Sequence, residues 1–270
     1  MLKVTGTPVR PALEEARMPE QARTPFTRPQ RTLSPHSHPQ SGSGRSGASG
    51  GDRTDVKERV TEVLVRVSDA ELAGVLGRPE SARGVVLFAH GSGSSRNSPR
   101  NRQVAKALYR AGFAVVLVDL FTAAEEQEDQ RTRRVRFDID LLARRVDDAV
   151  GWVITHPETQ GLPLGLFGAS TGAAGALAAA AERPETVRAV VSRGGRPDLA
   201  SSWLTTVAAP TLLVVGALDH PVLELNRQAA DSLGGLARVE VVPGATHLFE
   251  EPGCLEAVAS HATTWFTTHL

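Results

Sequence analysis

The chain has a single cysteine, no long apolar run and no excess of charge of either sign, and each absence excludes a class of protein. Cys254 alone cannot form an internal disulfide, which suits a reducing compartment. Thirty basic and 30 acidic side chains give a formal net charge of zero, so electrostatics does not favour nucleic acid or an acidic membrane surface as a partner. No run reaches the roughly 18 apolar residues of a membrane-spanning helix, and the first residues lack the apolar stretch of a secretory signal. We therefore expect a cytoplasmic protein without a membrane partner.

Residues 1–54 differ in composition from the rest of the chain. They are rich in Pro, Arg, Ser and Gly, and they end in a Gly/Ser-rich stretch at 41–51. Apolar residues are too sparse here to offset the entropy lost on ordering the segment. The composition predicts a disordered tail over residues 1–54 and a folded domain over residues 55–270.

Beyond the tail, short apolar runs alternate with segments of helical spacing. The pattern predicts a hairpin from strands at 60–67 and 71–77, and then buried strands at 84–89 and 114–119. Further strands are predicted at 162–167, 188–192, 211–216 and 238–242. It predicts helices at 99–111, 137–155, 171–183, 222–233 and 255–269, with a short one near 198–206. Residues 125–136 mix both charges densely and are expected to form a solvated loop or helix face. Buried strands that alternate with helices predict an α/β fold with a mostly parallel central sheet and helices on both faces.

The pentapeptide Gly168-Ala169-Ser170-Thr171-Gly172 lies between a predicted strand and a predicted helix. In a G-x-S-x-G elbow the serine takes a strained backbone conformation, and the residues two before and two after it must be small. Such a turn lifts the serine Oγ clear of the sheet edge. Ser170 is therefore the candidate nucleophile. Alternatively, it is only a small residue in a tight turn.

Asp219 and His247 follow two later strands, and parallel strands place their ligand sites at the carboxyl ends. A serine hydroxyl needs a base within hydrogen-bond reach; a histidine supplies it, and a carboxylate fixes the histidine tautomer. The order Ser, Asp, His predicts a triad of Ser170, Asp219 and His247. Alternatively, Asp219 caps the helix that begins near Pro221, and His247 is a solvated loop residue.

A tetrahedral oxyanion needs hydrogen-bond donors beside the nucleophile. The Thr171 amide supplies one by its position, and the loop after the strand at 84–89 supplies another through Ser92 or, alternatively, Gly91. We expect His90 to shape this glycine-rich loop, Asp119 to serve as a turn or wall residue, and Cys254 to pack near the last helix. The remaining histidines show no ligand spacing, so neither a metal site nor a cofactor is predicted.

Taken together, the His90-Gly91 turn, the elbow, the Leu218-Asp219 strand end and the segment 244–247 resemble the α/β-hydrolase superfamily, most closely its dienelactone hydrolase-like branch. The resemblance covers about residues 56–270 and implies an α/β-hydrolase fold with serine esterase activity. Dienelactone hydrolases in the strict sense use a cysteine nucleophile, whereas this elbow carries Ser170. The difference favours a general esterase over an enzyme for dienelactone itself.

Many hydrolases of this fold insert a cap domain after a central strand. Here the segment 120–161 is largely taken up by a predicted helix, and the connection 193–210 is shorter still, so no large cap is expected. An open site suits small soluble esters, thioesters or lactones, cleaved through an acyl-enzyme by a monomer or homodimer. The alternatives are a non-catalytic binding or scaffold protein and an acyltransferase.

Arg193 and Arg196 follow the buried strand at 188–192 and are expected near the rim of the pocket. The forked donors of a guanidinium can hold a carboxylate or phosphate on the substrate, and Arg193 is the candidate for this contact. Alternatively, both arginines pair with Asp198 or with carbonyl groups.

Deletion of residues 1–50 is expected to leave the melting temperature and the hydrolysis of a small ester unchanged within error. The segment has almost no apolar surface to bury, so its loss removes little stabilising free energy. Thermal unfolding and an ester assay on the full and the shortened chain check this. A clear drop in either quantity would show that the tail packs on the domain.

Overall fold

The protein is described from a computed structural model over residues 59–270; the predicted tail at 1–54 lies outside the described residues. Eight strands form one sheet: β1 (Val60–Arg66), β2 (Glu71–Gly77), β3 (Gly84–Ala89), β4 (Phe113–Val118), β5 (Leu164–Ala169), β6 (Val187–Arg193), β7 (Thr211–Gly216) and β8 (Ala237–Val242). Six α-helices accompany them: α1 (Pro99–Arg110), α2 (Ala123–Thr132), α3 (Ile139–Thr155), α4 (Thr171–Glu182), α5 (His220–Leu233) and α6 (Cys254–His269).

The strand order in the sheet is β1-β2-β4-β3-β5-β6-β7-β8. The β1–β2 and β2–β4 pairs are antiparallel, and every later pair is parallel. This confirms the predicted mostly parallel sheet. The strand order reverses at β3, which lies between β4 and β5, so the loops after β3 and β5 are neighbours at the carboxyl edge. Ligand sites of open α/β sheets form at such a switch point.

Two apolar cores cover the two faces of the sheet. One contains buried residues of α3, α4 and α5, including Leu142, Leu177 and Ala229, and the other contains residues of α1 and α6, including Leu108 and Phe266. Helix α4 lies deepest, because every residue from Thr171 to Ala180 is buried. Its alanines and glycines keep the side chains small, so the helix packs close to the strands and its neighbour α3.

Residues 125–136 include most of α2, which agrees with the expected helix face, and two of their carboxylates form internal ion pairs with Arg145 and Arg136. Thr122 and Glu125 make a capping box at the start of α2. The Glu125 carboxylate also accepts hydrogen bonds of 2.6 and 2.7 Å from Arg145, which is 1% exposed. The dense charge of this segment therefore serves internal pairing. The predicted absence of a large cap is confirmed, since only α2, a 3₁₀ turn and α3 separate β4 from β5.

Arg145→Ala is expected to lower the free energy of unfolding by about 3–5 kcal/mol, because it leaves Glu125 without its partner in a partly buried site. Arg145 also donates to the Leu120 carbonyl and to Asp69, and those bonds are lost too. Urea unfolding of both proteins measures the difference. The control is Arg144→Ala on the same helix, which removes an exposed arginine and should change stability by less than about 0.5 kcal/mol. Equal effects of the two substitutions would contradict the assignment.

Candidate active site

The candidate residues lie on loops at one edge of the sheet. Ser170 directly follows β5, Asp219 follows β7 and His247 follows β8, while Ser92 lies in the loop after β3. These four strands run parallel, so their carboxyl ends share an edge. Residues far apart in sequence are thereby brought to one side of the molecule.

Ser170 has the strained conformation expected of an elbow. Its φ is +51° and its ψ is −124°, and it is one of only three non-glycine residues with positive φ in the described part of the chain. A β-carbon at Gly168 would lie 2.4 Å from Ala173 Cα, and one at Gly172 would lie 2.3 Å from the Ala89 carbonyl oxygen. Both contacts are with backbone atoms that cannot move aside. The small residues that flank Ser170 are thus required by the close approach of α4 to β3 and β5.

Asp219 and His247 form a hydrogen-bonded pair. His247 Nδ1 lies 2.6 Å from Asp219 Oδ2, and the side chains are 40% and 12% exposed, respectively. Asp219 makes no side-chain bond to the start of α5, although it is the residue before that helix. The carboxylate therefore binds the histidine and does not cap the helix. A carboxylate at Nδ1 favours the tautomer with the proton on that nitrogen, which leaves the Nε2 lone pair available as a base.

In the part of the chain that the structure describes, Ser170 and His247 do not form a hydrogen bond with each other. The turn after β6 connects their surroundings. Ser170 N–H donates to the Arg193 carbonyl at 3.3 Å, and a β-carbon at Gly194 would lie 3.5 Å from His247 Nδ1. Hydrogen bonds of a nucleophile to its base are often long without substrate and tighten in the complex. The structure thus contains the Asp219–His247 pair and Ser170 in its elbow, but no hydrogen bond between Ser170 and His247.

The loop that carries His247 is anchored by contacts that the sequence did not reveal. Phe249 is 1% exposed and has a φ of +56°, so a buried aromatic ring pins the loop two residues after the histidine. Thr246 Oγ1 donates to Glu251 at 2.6 Å, and Arg100 donates to Glu250 at 2.8 Å. Only the positive φ of a non-glycine residue and long-range contacts define this anchor, and neither has a local sequence signal.

The predicted oxyanion donors lie together, with one difference from the expectation. The Ser92 amide donates to Thr171 Oγ1 at 3.2 Å, and the two hydroxyl oxygens are 3.4 Å apart. The Ser92 N–H thus binds the Thr171 side chain in this structure. Gly91 lies against the nucleophile, because a β-carbon there would be 2.8 Å from Ser170 Cβ. The Thr171 amide is at the start of α4, where helix N–H groups lack intrahelical partners.

His90 holds the glycine-rich loop, in agreement with the expectation. It is 4% exposed, its Nε2 accepts from the Leu120 amide at 2.8 Å, and its Nδ1 donates to the Gly91 carbonyl at 2.9 Å. Burial lowers the pKa of His90, so it stays neutral and keeps this single tautomer. Asp119 has a similar role, since it accepts the Arg96 amide at 2.6 Å and pairs with the Arg96 side chain.

Arg193 and Arg196 have different surroundings. Arg196 donates two hydrogen bonds to Asp198, at 2.8 and 2.7 Å, so the alternative of an internal ion pair is correct for this residue. Arg193 is only 9% exposed, and its Nη1 has no partner among the described residues. Burial and the neighbouring charge of Arg100 lower its pKa to about 10. The Arg193 guanidinium is therefore still charged at neutral pH.

Cys254 is buried, with its Sγ 3.8 Å from the Pro243 carbonyl, as expected of a packed residue. Within residues 59–270, no group of three His, Cys, Asp or Glu side chains is placed to hold a metal ion. None of the helices over the same range is long and apolar enough to cross a membrane.

Residues 72–268 match the model of the dienelactone hydrolase family. The chain belongs to this family. A solved dienelactone hydrolase from Anabaena variabilis is 56% identical, covers 79% of this chain and 99% of its own, and superposes with a TM-score of 0.77. The promiscuous phosphotriesterase P91, a dienelactone hydrolase-like protein from metagenomic libraries, is only 17% identical over 78% of this chain and 98% of its own. Its TM-score of 0.64 reflects the common fold.

Two curated relatives from strains of Mycobacterium tuberculosis are each named putative phosphoribosyl transferase. Each is 57% identical over 212 residues, which are 78% of this chain and 47% of the relative. The chain thus spans about half the length of the curated relatives that it matches. Membership of the dienelactone hydrolase family supports a hydrolase.

Proposed function

We propose that the protein is a serine hydrolase that cleaves small carboxylic esters through an acyl-enzyme. The observation that carries the proposal is the 2.6 Å Asp219–His247 pair at the sheet edge where Ser170 stands in a positive-φ elbow. A carboxylate-bound histidine beside a raised serine hydroxyl is the arrangement that acyl transfer requires. Membership of a hydrolase family supports the same reaction.

In the proposed mechanism, His247 Nε2 takes the Ser170 proton as Oγ attacks the carbonyl carbon. The tetrahedral intermediate collapses, the bond to the alcohol oxygen breaks, and the leaving alcohol takes the proton from His247. A water molecule then gives its proton to His247 and attacks the acyl-enzyme, which releases the acid and restores Ser170. Asp219 orients the imidazole and stabilises the imidazolium in both steps.

The Thr171 side chain has a further part in this mechanism. Its Oγ1 accepts the Ser92 amide at 3.2 Å and lies 3.4 Å from Ser92 Oγ, so its own hydroxyl proton can be donated to Ser92 Oγ or to a bound oxyanion. Thr171 is 3% exposed, so this donor acts in a site with little water. Thr171 then gives the oxyanion two hydrogen bonds, from its amide and from its hydroxyl, while the Ser92 amide holds the hydroxyl in place.

The substrate class follows from the open site and from the nucleophile. No cap domain covers the sheet edge in the described part of the chain, which suits small soluble esters, with thioesters and lactones as chemical relatives. A serine in the elbow favours oxygen esters in general over dienelactone itself. We further propose that the enzyme is cytoplasmic and is a monomer or a homodimer. A binding protein and an acyltransferase are the alternatives that the following experiment separates.

Ser170→Ala is expected to abolish ester hydrolysis and fluorophosphonate labelling while the melting temperature stays unchanged. Only the hydroxyl is lost, and removal of a triad serine lowers turnover by on the order of 10⁴- to 10⁶-fold. Mass spectrometry should locate the label of the wild-type protein on Ser170. Ser202→Ala, at an exposed serine, is the control and should keep both properties. A wild-type protein without label or turnover would favour a binding protein, and acyl transfer to an added alcohol in preference to water would favour the transferase.

Thr171→Val is expected to lower kcat by about 10²- to 10³-fold with little change in KM, because one oxyanion donor is lost. Valine keeps the shape of the side chain, so the fold should persist, and Thr171→Ser should recover most of the activity. The two variants are compared by steady-state kinetics on a neutral ester. If the Ser92 amide binds the oxyanion directly, Thr171→Val would free that amide and kcat would be retained, which would contradict the proposed role of the hydroxyl.

A further inference from the structure

Arg193 is a buried charge without a counter-charge. It is 9% exposed, its Nη1 has no hydrogen-bond partner, and no carboxylate in residues 59–270 forms an ion pair with it. Other well-buried or half-buried arginines of the fold do have one: Arg145 has Glu125 and Asp69, Arg183 has Asp147, and Arg136 has Asp129. A buried charge without a partner destabilises a fold, so its presence needs a reason other than stability.

Strand alternation places the side chain of Arg193 on the α1 side of the sheet, and its backbone is next to the nucleophile. Residues 189, 191 and 193 alternate onto one face of β6, and Ala189 and Val191 belong to the core that α1 and α6 cover. Arg100, in the first turn of α1, is the residue whose charge acts on Arg193. The backbone of Arg193 meets Ser170 directly, through the 3.3 Å bond from the serine amide to its carbonyl.

Unpartnered polar atoms are frequent at the start of α1, where Arg100 carries the charge that acts on Arg193. Of the six buried side-chain nitrogen and oxygen atoms without a partner in the described residues, four belong to Arg193, Arg100, Arg96 and Asn101. The side chains of Arg96 and Arg100 are 22% and 32% exposed, so the chain at the start of α1 reaches solvent. The N-terminus of the 12-residue helix α1 adds the positive end of its dipole there. The positive charge, the three unpartnered guanidinium nitrogens and the helix end favour an anion.

We propose that Arg193, assisted by Arg100, binds an oxyanion carried by the ester substrate, a carboxylate or a phosphoryl group held beside Ser170. The inference rests on the proposed function, because it names the substrate class of that site. The anion supplies the missing counter-charge and accepts from the free Nη1, and the planar guanidinium can offer two parallel donors to either group. Arg100 supplies attraction only in part, since Glu250 already pairs with its Nη1. Specificity for charged over neutral esters therefore depends mainly on Arg193.

The experiment compares three 4-nitrophenyl esters of matched length, whose acyl groups end in a methyl ester, a carboxylate or a phosphonate. Arg193→Met is the main variant, because methionine fills similar space without charge. The ratio of kcat/KM for the better anionic ester to that for the neutral ester should fall by about tenfold to a hundredfold, the value of a charge-assisted hydrogen bond. The anionic ester whose kcat/KM falls more in Arg193→Met identifies the natural group as a carboxylate or a phosphoryl group. Arg193→Lys should restore only part of the ratio.

Two readouts separate a binding role from a structural one. The melting temperature of Arg193→Met without ligand should stay equal or rise, since an unpaired buried charge is removed. Arg188→Ala, at an exposed arginine on the same strand, is the control and should leave the ratio unchanged. A large fall in melting temperature together with equal losses for all three esters would overturn the inference.

A further measurement keeps the inference independent of the proposed reaction. Titration calorimetry with succinate and with inorganic phosphate tests anion binding by the wild-type protein and by Arg193→Met. If no ester is hydrolysed but one anion binds and Arg193→Met abolishes the binding, the proposed function fails and the anion site stands. If neutral ester is hydrolysed, neither anion binds and the anionic ratio does not depend on Arg193, the anion site fails and the proposed function stands.

Discussion

The close approach of helix α4 to the strands is the constraint on which the site depends. Gly168 and Gly172 leave no space for a β-carbon, because backbone atoms of α4 and β3 lie within 2.4 Å of the position that one would occupy. Only at this distance does the chain turn from β5 into α4 through a single residue with a φ of +51°. That turn raises Ser170 above the edge and brings the Thr171 amide beside it. The alanine-rich composition of α4 follows from the same requirement.

Local sequence patterns predict most of the fold, because buried parallel strands are continuous apolar runs bounded by turn residues. The hairpin, the six later strands and five of the helices lie close to their predicted bounds. For the segment that contains α2 the sequence predicts a solvated loop or helix face without deciding between them, because its apolar positions are few and Arg145, which binds its first turn, is 20 residues away. A helix held by long-range ion pairs has no periodic apolar signal.

The site shows the same division between local and distant information. Short motifs predict the elbow, the strand-end aspartate and the loop histidine, since each depends on neighbouring residues. The bond from the Ser92 amide to Thr171 Oγ1 and the buried ring of Phe249 depend on pairs that only the fold brings together. Sequence reasoning also left both arginines of the turn with two alternatives. The fold distinguishes the two: Arg196 pairs with Asp198, whereas Arg193 Nη1 has no partner among the described residues.

The distribution of counter-charges distinguishes the parts of this molecule that serve stability from those available to a ligand. Arg145 is as buried as a core residue, and two carboxylates and a carbonyl satisfy its donors. Arg193 has comparable burial, yet another arginine is the charge that acts on it. Stability alone favours an apolar side chain at such a position, because desolvation of an unpaired charge costs more free energy than packing returns. The unpaired guanidinium of Arg193 is therefore the feature from which we infer an anionic group on the substrate.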